Sequence, residues 1–145
     1  MSIDNQNEPK ISHYLGIDYG IAMIGLAVAD SETKIASAYI TLKNNNKLLD
    51  KLSKIIQKKE INLIILGFTD YRGQIDAKKK FGQMIAEKLN IKVEYQNEMF
   101  TTKIAQSNLI AKGVRDIKKY DNQEAARIIL QSWLDKNIKK LISRN

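Results

Sequence analysis

Tyr14-Leu15-Gly16-Ile17-Asp18-Tyr19-Gly20-Ile21-Ala22-Met23-Ile24-Gly25-Leu26-Ala27 is the stretch on which the fold turns. Two short apolar runs flank a glycine-containing turn, the pattern of an antiparallel hairpin. Side chains alternate between the faces of a strand, so Gly16, Asp18 and Gly20 share one face of the first run. The second run places Gly25, Ala27 and Ala29 on one face in the same way. Surfaces this bare let a backbone or a ligand approach closely. Asp18 is the exception on them, a carboxylate that is costly to bury unless it is paired or holds a cation. Its competing role is local, as the Asp of an Asp-x-Gly turn.

Working outward, three strand-like runs come first, at Tyr14–Tyr19, Ala22–Asp30 and Ile35–Leu42. Their spacing predicts hairpins. Leu48, Leu49, Leu52, Ile55 and Ile56 then recur at helical spacing, and Asn44 to Asn46 offer an N-cap. Ile61–Leu66 is unbroken apolar sequence, suited to a strand buried on both faces. A second helix carries Ala77, Phe81, Met84, Ile85 and Leu89 on one side. Ile91–Gln96 reads as a further strand. Thr101 or Thr102 caps an expected helix over about 102–112, ending at Gly113. The last helix is expected over about 121–135, with Ala125, Ala126, Ile129, Leu130, Trp133 and Leu134 on its apolar face. The order β-β-β-α-β-α-β-α-α predicts an α/β fold: a five-stranded mixed sheet flanked by helices, with the first strand central and parallel to Ile61–Leu66.

The chain has 145 residues, 43% of them hydrophobic, enough for one domain with a real core. We expect a disordered tail over 1–12, a single domain over 13–136 and a basic tail over 137–145. The first twelve residues are polar and lack the apolar segment of a signal peptide. No run approaches the length of a membrane span, so a soluble, cytoplasmic protein without membrane contact is expected. There are no cysteines, which removes disulfides, thiolate zinc sites and cysteine nucleophiles. The single histidine, His13, reads as a solvated tail residue. Any metal site is therefore built from carboxylates, which favours Mg²⁺ or Mn²⁺ over zinc. The net charge of +8 suits a polyanionic partner. Compositional bias explains it equally well, because 20 of the 24 basic residues are Lys.

Two further acids stand at telling places. Glu98 follows the strand Ile91–Gln96, at the strand end where open α/β sheets bind ligands. Asp121 opens the last helix. There Asp121-Asn122-Gln123-Glu124 also reads as a capping box, which would give Asp121 a purely structural role. Asp18, Glu98 and Asp121 together end one strand, follow another and open a helix behind the sheet. Three converging carboxylates can hold two divalent ions about 3.5–4 Å apart.

The chain resembles the YqgF/RuvX family, named as Holliday junction resolvases and regarded as pre-16S rRNA nucleases. The likeness covers roughly residues 14–134. The family's Asp-x-Gly, basic pair and Ile-Gly-x-Ala are matched by Asp18 through Ala27. Its Gly-Leu-Pro strand end is matched by Leu66-Gly67-Phe68-Thr69, with Gly73 as the later glycine. Its Glu-Arg-x-Thr-Thr is matched by Glu98-Met99-Phe100-Thr101-Thr102. Its closing Asp-x-x-Ala-Ala-x-x-Ile-Leu-x-x-Trp-Leu is echoed from Asp121 to Leu134. The resemblance implies an RNase H-like fold and metal-dependent phosphodiester hydrolysis, with Asp18, Glu98 and Asp121 as catalytic, metal-binding acids on a two-metal site of Mg²⁺ or Mn²⁺. The partners it implies are precursor rRNA, branched DNA or a pre-ribosomal particle, met by a monomer or weak dimer.

The family's basic pair is replaced here by Ala22 and Met23, and its arginine by Met99. Lys103, Arg115, Lys118 and Lys119 flank Glu98 and Asp121 and are candidates to take over phosphate contacts; a solvated charged loop is the alternative. Two other functions fit parts of the sequence. Asp-x-Gly after a first strand is also a phosphate loop in sugar-kinase and chaperone-type ATPases, but those need two such domains, and this chain supplies one. A non-catalytic nucleic-acid-binding, ribosome-assembly module would keep the fold and lose turnover.

Overall fold

The computed structural model describes residues 10–68, 75–97 and 117–143. The five strands are β1 (His13–Asp18), β2 (Met23–Asp30), β3 (Ser37–Lys43), β4 (Leu63–Phe68) and β5 (Lys92–Asn97). The helices are α1 (Leu48–Lys58), α2 (Ile75–Lys88) and α3 (Ile117–Ser143). The helix expected near 102–112 lies outside the described residues. The sheet order is β3-β2-β1-β4-β5. β1 is central, antiparallel to β2 and parallel to β4, and β4 is parallel to β5. This is the mixed, five-stranded sheet that the hairpin-then-crossover order predicts.

Alternation along β1 divides the core. Leu15 and Ile17 are fully buried with Ile24, Leu26, Ile64 and Leu66 against α1 and α2. The opposite face carries Ala27, Ala29 and Ile65 and is covered by Ala126, Ile129, Leu130, Trp133 and Leu134 of α3. The small residues therefore admit a helix backbone. A Cβ built on Gly16 would lie 2.8 Å from Leu130 Cβ and 2.9 Å from the Ala126 carbonyl oxygen. One built on Gly25 would overlap the carbonyl oxygen of Asn122. Gly25→Ala forces backbone against backbone and is expected to destabilise the fold by about 1–3 kcal/mol. Chemical denaturation is the check, and an unchanged midpoint would mean that α3 does not lie this close.

Two contacts fix α3 across the sheet. Gln131 Oε1 accepts from the Ala36 backbone N–H at 2.8 Å, tying the helix to the start of β3. On the other side the Trp133 indole packs edge-on against Tyr14, with ring centroids 5.1 Å apart, and donates to Glu94 Oε1 of β5 at 3.3 Å. Together they set the axial position of α3, and with it which residues of its early turns meet the end of β1.

Several local expectations change. His13 is the first residue of β1, with its N–H bonded to Asn62 Oδ1 at 2.8 Å, so it belongs to the sheet and not to a tail. The N-cap of α1 is Lys47, which makes no side-chain cap bond; Asn45 Oδ1, two residues earlier, instead accepts from the Lys47 N–H at 3.0 Å. α3 begins at Ile117, not near 121, and continues to Ser143.

Candidate active site at the carboxyl edge of the sheet

Strand direction places the candidate residues. β1, β4 and β5 run parallel, so their carboxyl ends share one edge of the sheet. Asp18 is the last residue of β1, and its register partner on β2 is Gly25. β4 ends at Phe68, paired with Asn97, the last residue of β5. Glu98 itself lies outside the described residues; the strand that leads to it stops at this edge. Two strand spacings separate β1 from β5, about 10 Å, within the span that two carboxylate side chains and a bound ion can bridge.

α3 reaches the same edge. The Asn122 carbonyl sits over Gly25, directly beside Asp18 in the register. Asp121 precedes it in the second turn of the helix. Because α3 starts at Ile117, Asp121 is not its N-cap, and the capping-box reading falls away. Glu124 does not reach back to a cap either. It is 7% exposed, and its Oε1 accepts from Arg127 Nε at 2.9 Å and from a terminal guanidinium nitrogen at 2.6 Å. Asp121 heads the i,i+4 row through Ala125, Ile129 and Trp133. Asn122 heads the neighbouring row through Ala126 and Leu130, the row that meets Gly16 and Gly25. Counted back from Ala125-Ala126, an Asp-x-x-Ala-Ala pattern begins at position 122, where this chain carries Asn. The acid stands one residue earlier, about 100° around the helix.

One residue of this edge escaped the sequence reading. Lys78, in the first turn of α2, is only 4% exposed. α2 follows β4, so its first turn lies at the same carboxyl edge as Asp18. Phe81, one turn on, packs on Tyr19 with ring centroids 4.7 Å apart, which brings that turn against the residue next to Asp18. Burial pushes the Lys78 ammonium below its ordinary range, and the Asp18 carboxylate works against that shift. The signal was present in the helical period. Lys78, Phe81 and Ile85 fall at i, i+3 and i+7, so the lysine lies on the buried face.

The turn after Asp18 is pinned from the other side. Asn44 Nδ2 donates to the Gly20 carbonyl at 2.9 Å, and the Asn44 N–H donates to the Ala22 carbonyl. Ala22 is exposed there, and Met23 opens β2. Of the candidate phosphate contacts, Lys103 and Arg115 lie outside the described residues. Lys118 and Lys119 stand in the first turn of α3. Among the described residues no three acids surround one point, and no helix is long and apolar enough to cross a membrane.

A central β1 antiparallel to β2 and parallel to β4, in a five-stranded mixed sheet with helices on both faces, is an RNase H-like fold. The RuvC structure from T. thermophilus in complex with a Holliday junction substrate shares that fold at a TM-score of 0.54 and 15% identity, over 88% of this chain and 96% of the other. Residues 12–136 match the family described as "RuvX: Holliday junction resolvase", and the chain belongs to that family of nucleases. Among its relatives, a protein of Dictyoglomus turgidum is 33% identical over 83% of this chain and 92% of its own length. One of Corynebacterium diphtheriae is 30% identical over 98% and 95%. Both bear the name "Putative pre-16S rRNA nuclease".

Proposed function

We propose that this protein is a cytoplasmic, metal-dependent endonuclease that hydrolyses phosphodiester bonds in maturing the 5′ end of pre-16S rRNA. The names carried by its relatives support the substrate, and family membership supports the reaction. The observation that supports the reading is the shared edge: β1 ends there at Asp18, β5 ends there at Asn97, the residue before Glu98, and the Asn122 carbonyl of α3, next after Asp121, lies over Gly25 beside Asp18.

The donor chemistry fits a hard cation. Asp18 is half-buried at the edge and offers oxygen ligands, in a chain with no cysteine and its only histidine in β1. Asp18, Glu98 and Asp121 would hold Mg²⁺ or Mn²⁺. When bound, such an ion supplies an activated water and stabilises the departing oxygen. The chain's own contribution is positional. The packed β1 core holds the backbone of Asp18, and the α3 clasp would hold that of Asp121. Lys103, Arg115, Lys118 and Lys119 would contact the nucleic-acid backbone in place of the basic residues absent at Ala22, Met23 and Met99.

The test is cleavage of a precursor rRNA fragment and a four-way DNA junction, side by side, with Mg²⁺ and with Mn²⁺. Cleavage of the rRNA at its 5′ boundary supports the proposal. Preferential cleavage of the junction would move the assignment to resolution of branched DNA, and binding of either without cleavage would leave an assembly module. Affinity should also fall steeply with salt, because each lysine–phosphate contact releases a counterion. A flat response between low and moderate salt would mean that the +8 charge is compositional.

A further inference from the structure

β1 and β2 are joined past the carboxyl edge by the short turn Tyr19–Ala22, and the sequence is uncharged from Tyr19 to Met23. At its tip Ile21 is 70% exposed, and Ala22 beside it is exposed too. The turn is held in shape. Asn44 Nδ2 donates to the Gly20 carbonyl and the Asn44 N–H to the Ala22 carbonyl, both at 2.9 Å, so the carbonyls of the residues before and after Ile21 are bonded. Closure is tight as well: a Cβ built on Gly20 would lie 2.5 Å from the Met23 carbonyl oxygen. Isoleucine is stiff at χ1, so a contact it makes costs little side-chain entropy. A lysine stands beside this tip. Asp18 pairs with Gly25, Met23 lies two residues before Gly25, and Met23 pairs with Lys43, the last residue of β3. Cross-strand partners share a face, and so do residues two apart along a strand. Lys43 is therefore on the face that carries Asp18. β3 runs in the direction of β1, so Lys43 also ends at the same edge. It is exposed and forms no ion pair with a described residue.

Side chains at this tip cannot bind phosphate, yet the tip projects three residues from Asp18 in a nuclease of net charge +8. What an apolar side chain can pack against on a nucleic acid is the face of a base, and base faces are open where the strand is unpaired. Lys43 supplies the complementary contact, to the backbone of the same strand. Single strands are held by this combination of base packing and basic side chains. We propose that the Tyr19–Ala22 turn and Lys43 form a single-strand clamp beside the bond that is cut: Ile21 packs on an unpaired base of the RNA, and Lys43 bonds a neighbouring phosphate. The inference rests on the reading of Asp18 as an active-site acid, and binding measured apart from cleavage separates the two claims.

The experiment measures binding of the full-length protein to two RNAs in EDTA, from low to moderate salt: a stem with a single-stranded 5′ extension, and a blunt duplex of the same length. Wild type is expected to prefer the extended RNA by about tenfold. Ile21→Thr keeps the branched shape and removes much of the apolar contact. It is expected to bind the extended RNA about fivefold more weakly, with the duplex affinity and the salt slope unchanged. Ile21→Leu should keep the preference, and it is the control for the shape of the turn. Lys43→Gln is expected to weaken binding of the extended RNA and to reduce its salt slope by about one. Both positions are exposed, so the unfolding midpoints should not move. Equal affinity of the wild type for both RNAs overturns the clamp. So does an Ile21→Thr loss that is absent or shared by both RNAs, or an unchanged salt slope in Lys43→Gln. Cleavage by the same wild-type protein with Mg²⁺ then leaves the nuclease reading standing. A wild type that binds neither RNA, and cleaves neither with Mg²⁺ or Mn²⁺, overturns both.

Discussion

Asp18→Asn is expected to abolish cleavage, by roughly a thousandfold or more, and also to destabilise the protein by about 2–3 kcal/mol. The first effect follows from removing the proposed metal ligand at the carboxyl edge. The second runs against the sequence alone. Three acids crowded together would repel, so losing one should cost little stability or even add some. The structure reverses that sign, because the Asp18 carboxylate favours the charged form of the buried Lys78. Asparagine keeps the shape and removes that charge. Denaturant unfolding of Asp18→Asn, Lys78→Met and the double variant forms a closed cycle. The double variant should regain most of the lost stability. An Asp18→Asn protein as stable as the wild type would show that the two charges are not coupled.

Removing the acid on α3 should cost nearly as much activity with none of the stability. Asp121→Asn is expected to reduce cleavage by about a hundredfold or more and to weaken Mn²⁺ binding, while helix content stays unchanged. Helix content is the informative control. Were Asp121 an N-cap, asparagine would substitute almost without loss, but the helix begins a turn earlier, at Ile117. The companion change is Asn122→Asp. It installs a carboxylate on the row that meets Gly25, next to Asp18. In the Asp121→Asn background it should restore part of the cleavage. Full activity in Asp121→Asn would remove Asp121 from the site and make position 122 the α3 contact.

The architecture was readable because its signals were strong and redundant. Alternation in Tyr14–Asp18 marked a strand with one apolar and one bare face, and both faces are buried as that pattern requires. The central place of β1 followed from a hairpin on one side and a crossover on the other. What the bare face was for could not be read locally, because its partner lies about a hundred residues along the chain. Small residues admit a ligand or a backbone equally well, and here they admit α3. The start of α3 was misplaced for a related reason. Asp121 and Glu124 have the spacing of a capping box, but Glu124 is taken by Arg127, and nothing in the spacing reveals that competition. Lys78 was overlooked inside Lys78-Lys79-Lys80, a run that reads as a solvated face. Lys79 and Lys80 are indeed exposed, and only the phase set by Phe81 and Ile85 separates Lys78 from them. Glu98 was legible as a motif member, and Lys103 and Arg115 only as flanking basic residues; all three lie outside the described residues.

The division of the core into two halves has a consequence for the chain as it is made. The layer under α1 and α2 is built from residues between Leu15 and Ile85, sequence that leaves the ribosome early. The second layer draws its covering side from Ala126 to Leu134, at the far end of the chain. Until that end emerges, Ala27, Ala29 and Ile65 face water and the Asn122 carbonyl is not over Gly25. The half-synthesised protein therefore holds a sheet with a bare apolar face and an unfinished carboxyl edge. A chain truncated before α3 would be sticky, because that face is covered only once the stretch from Ala126 to Leu134 has emerged.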